Sequence, residues 1–214
     1  FVDAEHSWIQ PAIDDMVQRS MRAHNRERAV VSTTVQLYLR RGIGFLRSCI
    51  GDAREHGYQL GVKLVRGAYM EQERDRAEDA GVESPIQPNK AATDAAFDQA
   101  TTISLENIDW VTTCIATHNI ASTRHLVAEM ARLGIDRADR RVTASQLFGM
   151  FDRVTFPLAD AGYNALKYVP YGKVREAFPY LLRRADENKS VAEQLASELE
   201  AVRDEMRRRG LKPL

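Results

Sequence analysis

Strand-like and helix-like segments alternate along almost the whole chain. β-branched and apolar runs such as AVVSTTVQLY and LGVKLVRGAY predict strands, and the segments between them carry apolar residues at helical spacing. This alternation is typical of an α/β fold built on a parallel sheet. With FVDAE taken as a short first strand, the pattern gives six βα units.

The individual elements can be placed from these patterns. The predicted strands are FVDAE, AVVSTTVQLY, LGVKLVRGAY, WVTTCIATHN, RVTASQLFGM and NALKYVPYG. The predicted helices cover 8–25, 42–56, 122–133, 152–161 and 174–188, and a further helix completes the C-terminus. The polar segment between Met70 and about Asn107 contains SPIQPN, whose prolines predict a loop at Ser84–Asn89.

Composition narrows the class of protein. The 214 residues are 44% hydrophobic and 28% charged, which fits one soluble globular domain with a substantial core. Thirty basic residues balance thirty acidic ones. The chain therefore lacks the excess of positive charge that would indicate a nucleic-acid partner. Cys49 and Cys114 have no zinc or disulfide spacing, and we expect both to be small core residues in a reducing compartment, with no metal site.

A doubly wound sheet and a (βα)8 barrel both fit this alternation. The barrel is favoured because no G-x-G-x-x-G follows a strand and because polar groups end every predicted strand, whereas a doubly wound sheet concentrates its site at one switch point. These strand-end residues are Asp3, Gln36, Arg66, His118, Gln146 and Tyr168. A barrel has eight strands, so we expect two strands to lie upstream of Phe1.

The helix predicted after Tyr168 has an unusual polar face. Tyr180, Arg183, Arg184 and Glu187 fall at i, i+3, i+4 and i+7 and share one side of it. Two adjacent guanidiniums beside a tyrosine form a fork suited to a planar carboxylate. An exposed face with an Arg183–Glu187 ion pair is the alternative, but the position directly after a strand end favours binding.

Two more strand ends carry candidate site residues. In VKLVRGAY, strand alternation places Lys63 and Arg66 on opposite faces, so at least one cation faces a polar centre if both faces are covered. Gly67 and Ala68 then allow a bound group to approach the backbone closely. Thr117 and His118 end the next strand, on the edge where a barrel binds its ligands.

Long segments of the chain resemble the proline dehydrogenase family of flavoenzymes, of the monofunctional type. The segments are VDAEHSWIQPA, TVQLYL, GVKLVRGAYMEQERDRA, SPIQP, IATHN, SQLFGM, AGYNALKYVPYG and PYLLRRADEN. The resemblance implies a (βα)8 TIM barrel with FAD at the carboxyl ends of its strands. It also implies that residues 1–214 are the C-terminal portion of this catalytic domain, with strands 3 to 8.

The resemblance assigns roles residue by residue. Asp3 and Lys63 correspond to the catalytic aspartate and to the basic residue near the reactive edge of the flavin. Substrate-binding positions are matched by Arg183, Arg184, Tyr168, Tyr180 and Leu147. Flavin-binding positions are matched by Ala4, Gln36, Arg66, Gly67, Ala68, Thr117 and His118. One branch of the family has the Lys63 and Arg66 residue types in reverse order. The family also has a substrate-site lysine on its second strand, and no segment here matches it.

The implied reaction is oxidation of L-proline to Δ1-pyrroline-5-carboxylate by hydride transfer to FAD, with electrons passed to a membrane quinone. The implied location is the inner face of a bacterial membrane, reached by peripheral contact, or the mitochondrion. Hydroxyproline dehydrogenase on the same scaffold, a barrel enzyme that binds phosphate at its later strands, and a non-catalytic fragment are the alternatives.

Overall fold

The computed structural model describes residues 1–175, 178, 182 and 191–211, and only the backbone of residues 191–198. The chain divides into two compact units, Phe1–Ala144 and Ser145–Leu214.

The first unit alternates helices and strands after an irregular N-terminal segment. Its elements are α1 Gln10–His24, β1 Thr33–Gln36, α2 Gly42–His56, β2 Leu60–Val65, α3 Met70–Asp79, α4 Lys90–Glu106, β3 Val111–Ala116 and α5 Ile120–Arg132. The strand β4, Val142–Leu147, begins in this unit and continues into the second. The second unit adds α6 Asp152–Asp160, β5 Ala165–Tyr168 and α7 Val191–Arg208.

Strands that follow one another in the chain are also neighbours in the sheet, in the order β1-β2-β3-β4-β5. The pairs β1–β2 and β2–β3 are parallel, with Thr34 opposite Lys63 and Lys63 opposite Cys114. A doubly wound sheet reverses its strand order at a switch point, whereas a barrel wall keeps chain order throughout. The described strands therefore follow the order of a barrel.

The two faces of β2 have different surroundings. Leu60, Val62 and Leu64 are at most 1% exposed. Lys63 and Val65 on the opposite face are only half-buried. Since side chains alternate along a strand, the apolar face packs under the helices and the other face carries the polar groups. Burial of three aliphatic side chains stabilises the fold by about 1.5–3 kcal/mol each.

Most of the helices and strands predicted from the sequence are confirmed. The observed strands are shorter than the apolar runs from which they were predicted. The helix predicted from Gly42 to His56 has those bounds, and Gly57 ends it with a left-handed φ of 66°. The polar segment after Met70 contains α3 and α4, with Ser84–Asn89 in the loop between them. Cys49 and Cys114 are buried, as predicted.

The strand predicted at FVDAE is wrong in the described structure. Phe1–Glu5 has no regular strand, although the Val2 N–H donates to the Ser32 carbonyl at 2.9 Å. A single backbone bond next to β1 does not make a ladder, so the described residues contain five strands rather than six. Most of the helix predicted at 174–188 lies outside the described residues.

Candidate functional site

The two predicted catalytic residues meet in the first unit. The Lys63 Nζ of β2 forms an ion pair with the Asp3 carboxylate of the N-terminal segment. The Lys63 side chain is 19% exposed and that of Asp3 is 62% exposed. The Thr34 Oγ1 donates to the Val2 carbonyl at 2.8 Å, which ties the segment to β1 immediately before Asp3. The structure therefore places a fixed cation and a solvent-facing carboxylate on the half-buried face of the sheet.

Gln36 and the N-terminal segment are also joined. The Gln36 Nε2 donates to the Glu5 carbonyl at 2.8 Å. Gln36 lies opposite Val65, two positions from the Thr34–Lys63 pair, so it shares the sheet face of Lys63. Ala4 lies between Asp3 and Glu5 and is half-buried. The predicted flavin contacts Ala4 and Gln36 therefore lie close to the Asp3–Lys63 pair, on the same face of the sheet.

Arg66 is the centre of a polar network at the ends of β2 and β3. Its guanidinium donates to the Asp94 carboxylate at 2.7 Å, to the Thr117 Oγ1 at 2.7 Å and to the Ser122 Oγ at 3.0 Å. Partial burial opposes the charge on Asp94, but hydrogen bonds from Lys90 and Arg66 hold the pKa of that carboxyl below its usual value. Arg66 and Thr117, both predicted flavin contacts, therefore touch each other directly.

His118 follows Thr117 in the loop before α5 and is exposed. The Asn119 N–H donates to the Thr117 Oγ1 at 3.1 Å, and the Asn119 side chain accepts from the Ser122 N–H at 3.2 Å as the N-cap of α5. The segment IATHN thus ends a strand and starts a helix within a few residues. This local turn presents the His118 side chain at the carboxyl end of β3.

Gly67 has a close protein neighbour. A Cβ at this position would lie 2.3 Å from the Tyr38 ring, and the backbone φ is 136°. The Tyr38 N–H donates to the Arg66 carbonyl at 2.7 Å, which holds the ring over the glycine. In the sequence, the small side chains of Gly67 and Ala68 indicated the approach of a ligand. At Gly67 the structure gives a further reason, since Tyr38 occupies the space of a side chain.

The loop Ser84–Asn89 had no predicted role. Ile86 forms an antiparallel bridge with Leu39, and the Gln87 N–H donates to the Tyr38 carbonyl at 2.7 Å. The loop therefore covers the segment that follows β1 and buries Tyr38, Leu39 and Ile86 together. Its two prolines and the apolar Ile86 between Pro85 and Gln87 were the available sequence signal, but the segment that the loop contacts was not predictable from spacing.

The second unit carries two predicted substrate-binding residues at strand ends. Leu147 is buried at the end of β4, and Tyr168 ends β5 with 51% of its surface exposed. The Phe148 N–H donates to the Tyr168 carbonyl at 2.9 Å, so the two strand ends are adjacent. Gln146 is buried and its amide oxygen accepts from the Thr155 Oγ1 at 3.0 Å.

The predicted carboxylate fork lies in the sequence of the second unit, outside the residues that the structure describes. Its residues are Tyr180, Arg183, Arg184 and Glu187. Across the part of the chain that the structure describes, no group of three or more His, Cys, Asp or Glu side chains is arranged to hold a metal ion. No helix in these same ranges has the length and apolarity needed to cross a membrane.

Parallel strands in chain order, with polar side chains at their carboxyl ends, place the chain in the α/β class with the strand order of a barrel wall. The sequence model of the proline dehydrogenase family matches residues 1–197. The chain belongs to the proline dehydrogenase family.

Two relatives and one solved structure illustrate the likeness. Proline dehydrogenase 1, mitochondrial, of Drosophila melanogaster is 39% identical over 97% of this chain and 32% of its own length. The human protein of the same name is 42% identical over 89% of this chain and 32% of its own length. The chain therefore spans about a third of the length of these relatives.

The structure of proline utilization A (PutA) from Bdellovibrio bacteriovorus, inactivated by N-propargylglycine, is similar with a TM-score of 0.80 and 26% sequence identity. The match covers 85% of this chain and 19% of that protein. The prediction of a TIM-barrel fold of the proline dehydrogenase type is confirmed.

We predict that Gly67→Ala lowers the free energy of unfolding by about 2 kcal/mol or more, because the methyl group meets the Tyr38 ring on a left-handed backbone. Gly44→Ala in α2 is the matched control, since a Cβ added there has nothing within 4 Å and alanine favours a helix by about 0.5–1 kcal/mol. Urea unfolding of both variants measures the difference. Equal stabilities would contradict the packing account of Gly67.

Proposed function

We propose that residues 1–214 form the C-terminal portion of the catalytic barrel of an FAD-dependent proline dehydrogenase. The enzyme oxidises L-proline to Δ1-pyrroline-5-carboxylate. The observation that carries the proposal is the Asp3–Lys63 ion pair, in a chain whose residues 1–197 match the family. It unites the two residues that the family resemblance assigns to catalysis, which lie 60 positions apart in the sequence.

The donors at the strand ends of the first unit fit a flavin by their chemistry. Proline dehydrogenases are flavin-dependent, and we assign FAD as the flavin of this one. The residues that would hold it are Ala4, Gln36, Arg66, Gly67, Ala68, Thr117 and His118. They offer amide, hydroxyl, imidazole and guanidinium groups and a backbone with little side chain. FAD, when bound, accepts the hydride from the proline ring carbon next to nitrogen.

Lys63 supplies a fixed positive charge. An ion pair with a carboxylate as exposed as that of Asp3 adds only about 0–1 kcal/mol to stability, so its main effect is to orient the ammonium group. A cation already in place stabilises negative charge that develops in the transition state without reorganisation. Lys63 therefore lowers the barrier to hydride transfer, and Asp3 holds it in position.

The substrate-binding residues are those that the family resemblance assigns, and all of them belong to the second unit. Arg183 and Arg184, which lie outside the described residues but within the family match, bind the proline carboxylate as a guanidinium fork. The family resemblance adds Tyr180 to these substrate contacts. Tyr168 and Leu147 pack against the ring, in agreement with their places at adjacent strand ends. A carboxylate fork and an apolar ring contact together select a cyclic amino acid.

The electrons leave to an acceptor outside the protein. We assign a membrane quinone, reached by peripheral contact with the membrane surface. In a bacterium this places the enzyme at the inner face of the membrane, and in a eukaryote in the mitochondrion, the location that the names of both relatives give. Membership of the proline dehydrogenase family argues against the alternative of a barrel enzyme that binds phosphate. Hydroxyproline dehydrogenase remains as the alternative activity on the same scaffold. A comparison of kcat/KM for L-proline and trans-4-hydroxyproline distinguishes the two activities.

The direct test uses the full-length protein. We expect it to purify yellow with flavin absorbance, and we expect anaerobic L-proline to bleach that absorbance and to yield the pyrroline product. A soluble quinone should then restore the oxidised spectrum. Protein that is colourless after reconstitution with FAD, or flavin that L-proline leaves oxidised, would refute the proposal and favour a non-catalytic fragment.

We predict that Lys63→Met slows flavin reduction at saturating proline by about 10–100-fold while the proline concentration for half-maximal rate changes less than threefold. A cation beside the flavin acts mainly when charge moves onto it. Lys63→Arg keeps the charge and should retain most of the rate. Stopped-flow reduction measures both, and an unchanged limiting rate in Lys63→Met would leave Lys63 without a catalytic role.

We predict a preference for L-proline over trans-4-hydroxyproline of roughly ten- to a few hundred-fold in kcat/KM. An aromatic ring at Tyr168 packs on the apolar edge of the substrate and offers a 4-hydroxyl few partners. Tyr168→Ser should narrow this preference, mainly through lower efficiency with proline. Tyr171→Ser is the matched control, because that side chain is fully exposed. A wider gap in Tyr168→Ser would show that Tyr168 does not set specificity.

A further inference from the structure

The N-terminal segment is bound by one face of α3 and by Tyr69, the residue before this helix. The residues of this face are spaced at i, i+3, i+4 and i+7 and therefore lie side by side. They are Tyr69, Gln72, Glu73 and Arg76. The segment Glu5–Trp8 runs along this face, and each of its four residues contacts one of them.

Glu73 makes the central contact. Its carboxylate accepts from the Ser7 N–H and from the Ser7 Oγ, both at 2.6 Å. Glu73 is only 2% exposed, and a buried carboxylate is costly unless charged or polar donors satisfy it. The first turn of α3 favours its negative charge through the helix dipole. Ser7 is thus bound at two atoms by a group that has little freedom to move.

The flanking contacts fix the register of the segment. The Tyr69 hydroxyl donates to the Glu5 carboxylate at 2.8 Å. The His6 ring is stacked between Tyr69 and Trp8, with centroid distances of 4.0 and 4.3 Å. The Arg76 guanidinium lies over the Trp8 ring at 4.4 Å. These aromatic and cation–π contacts prevent the segment from sliding along α3.

Asp3 lies between two anchors of the same segment. On one side, Val2 is bound by Ser32 and Thr34. On the other side, Glu5 is bound by Gln36 and Tyr69, and Ser7 is bound by Glu73. The ion pair of Asp3 with Lys63 is too exposed to hold the segment by itself. The position of the Asp3 carboxylate therefore depends on contacts on both sides, and the Ser7–Glu73 contact is one of them.

We propose that Glu73 is a positioning residue which, through Ser7, holds the segment that carries Asp3 and so keeps the Asp3 carboxylate against Lys63. The role in catalysis rests on the proposed oxidation of proline. The anchoring of the segment does not, because it is a property of the protein without substrate.

The first experiment measures the anchor without proline. Hydrogen exchange in the full-length protein should show the Ser7 amide exchanging at least tenfold faster in Glu73→Ala. Glu73→Gln keeps an acceptor for this amide and should restore most of the protection. Glu78→Ala, which removes the same residue type from the exposed side of α3, should leave it unchanged. Equal exchange in Glu73→Ala and Glu78→Ala would overturn the proposal.

The second experiment separates positioning from general destabilisation. We expect Glu73→Ala to slow flavin reduction at saturating proline about tenfold with the flavin still bound. In an Asp3→Ala background the same change should slow it less than twofold, because residues that act through one another are not additive. A further tenfold loss in the double variant would show that Glu73 does not act through Asp3.

Ser7→Ala is the substitute variant for this test if Glu73→Ala does not fold. It removes the hydroxyl bond to Glu73 and keeps the amide bond, so we expect a smaller loss, about threefold, that also disappears in the Asp3→Ala background. Wild-type protein that binds flavin but does not oxidise proline would refute the proposed function, whereas the exchange experiment would still decide whether Glu73 anchors the segment.

Discussion

The guanidinium of Arg66 is the interaction on which the first unit most depends. It joins the end of β2 to Asp94 of α4, to Thr117 after β3 and to Ser122 of α5, and it lies 4.4 Å above the Phe97 ring. A planar group with five donors in fixed directions can bind three partners at once without rotating. The strand ends that carry the candidate site are therefore held in one arrangement.

The two cations of the VKLVRGAY segment have different partners because strand side chains alternate. Lys63 points to the half-buried face and pairs with Asp3, while Arg66 is bound to the helices and to Thr117. Arg66 fixes the sheet to its helices, whereas Lys63 keeps a positive charge near solvent. A single basic residue could not fill these two roles. The motif thus combines Arg66, which ties the sheet to its helices and is also a proposed flavin contact, with Lys63, whose charge lies at the half-buried face.

Sequence patterns predicted the helix and strand segments well, because apolar spacing and stop signals such as Gly57 act locally. The first strand was predicted wrongly, since the short run FVDAE has one backbone bond to its neighbour and no ladder. Strand-end positions and helical spacing indicated several candidate residues, among them Arg66 and His118, but the role of each came from the family resemblance. The clamp between Ser7 and Glu73 was missed, although the spacing of Tyr69, Glu73 and Arg76 on one helix face was visible in the sequence.

The sequence by itself determined the alternation of strands and helices, the loop at Ser84–Asn89 and the family to which the chain belongs. Only the tertiary structure decided which side chains meet. Asp3 and Lys63 are 60 positions apart, and Ser7 and Glu73 are 66 positions apart. Contacts of this range depend on strand register and helix packing, which arise from the whole core, and no local pattern specifies them.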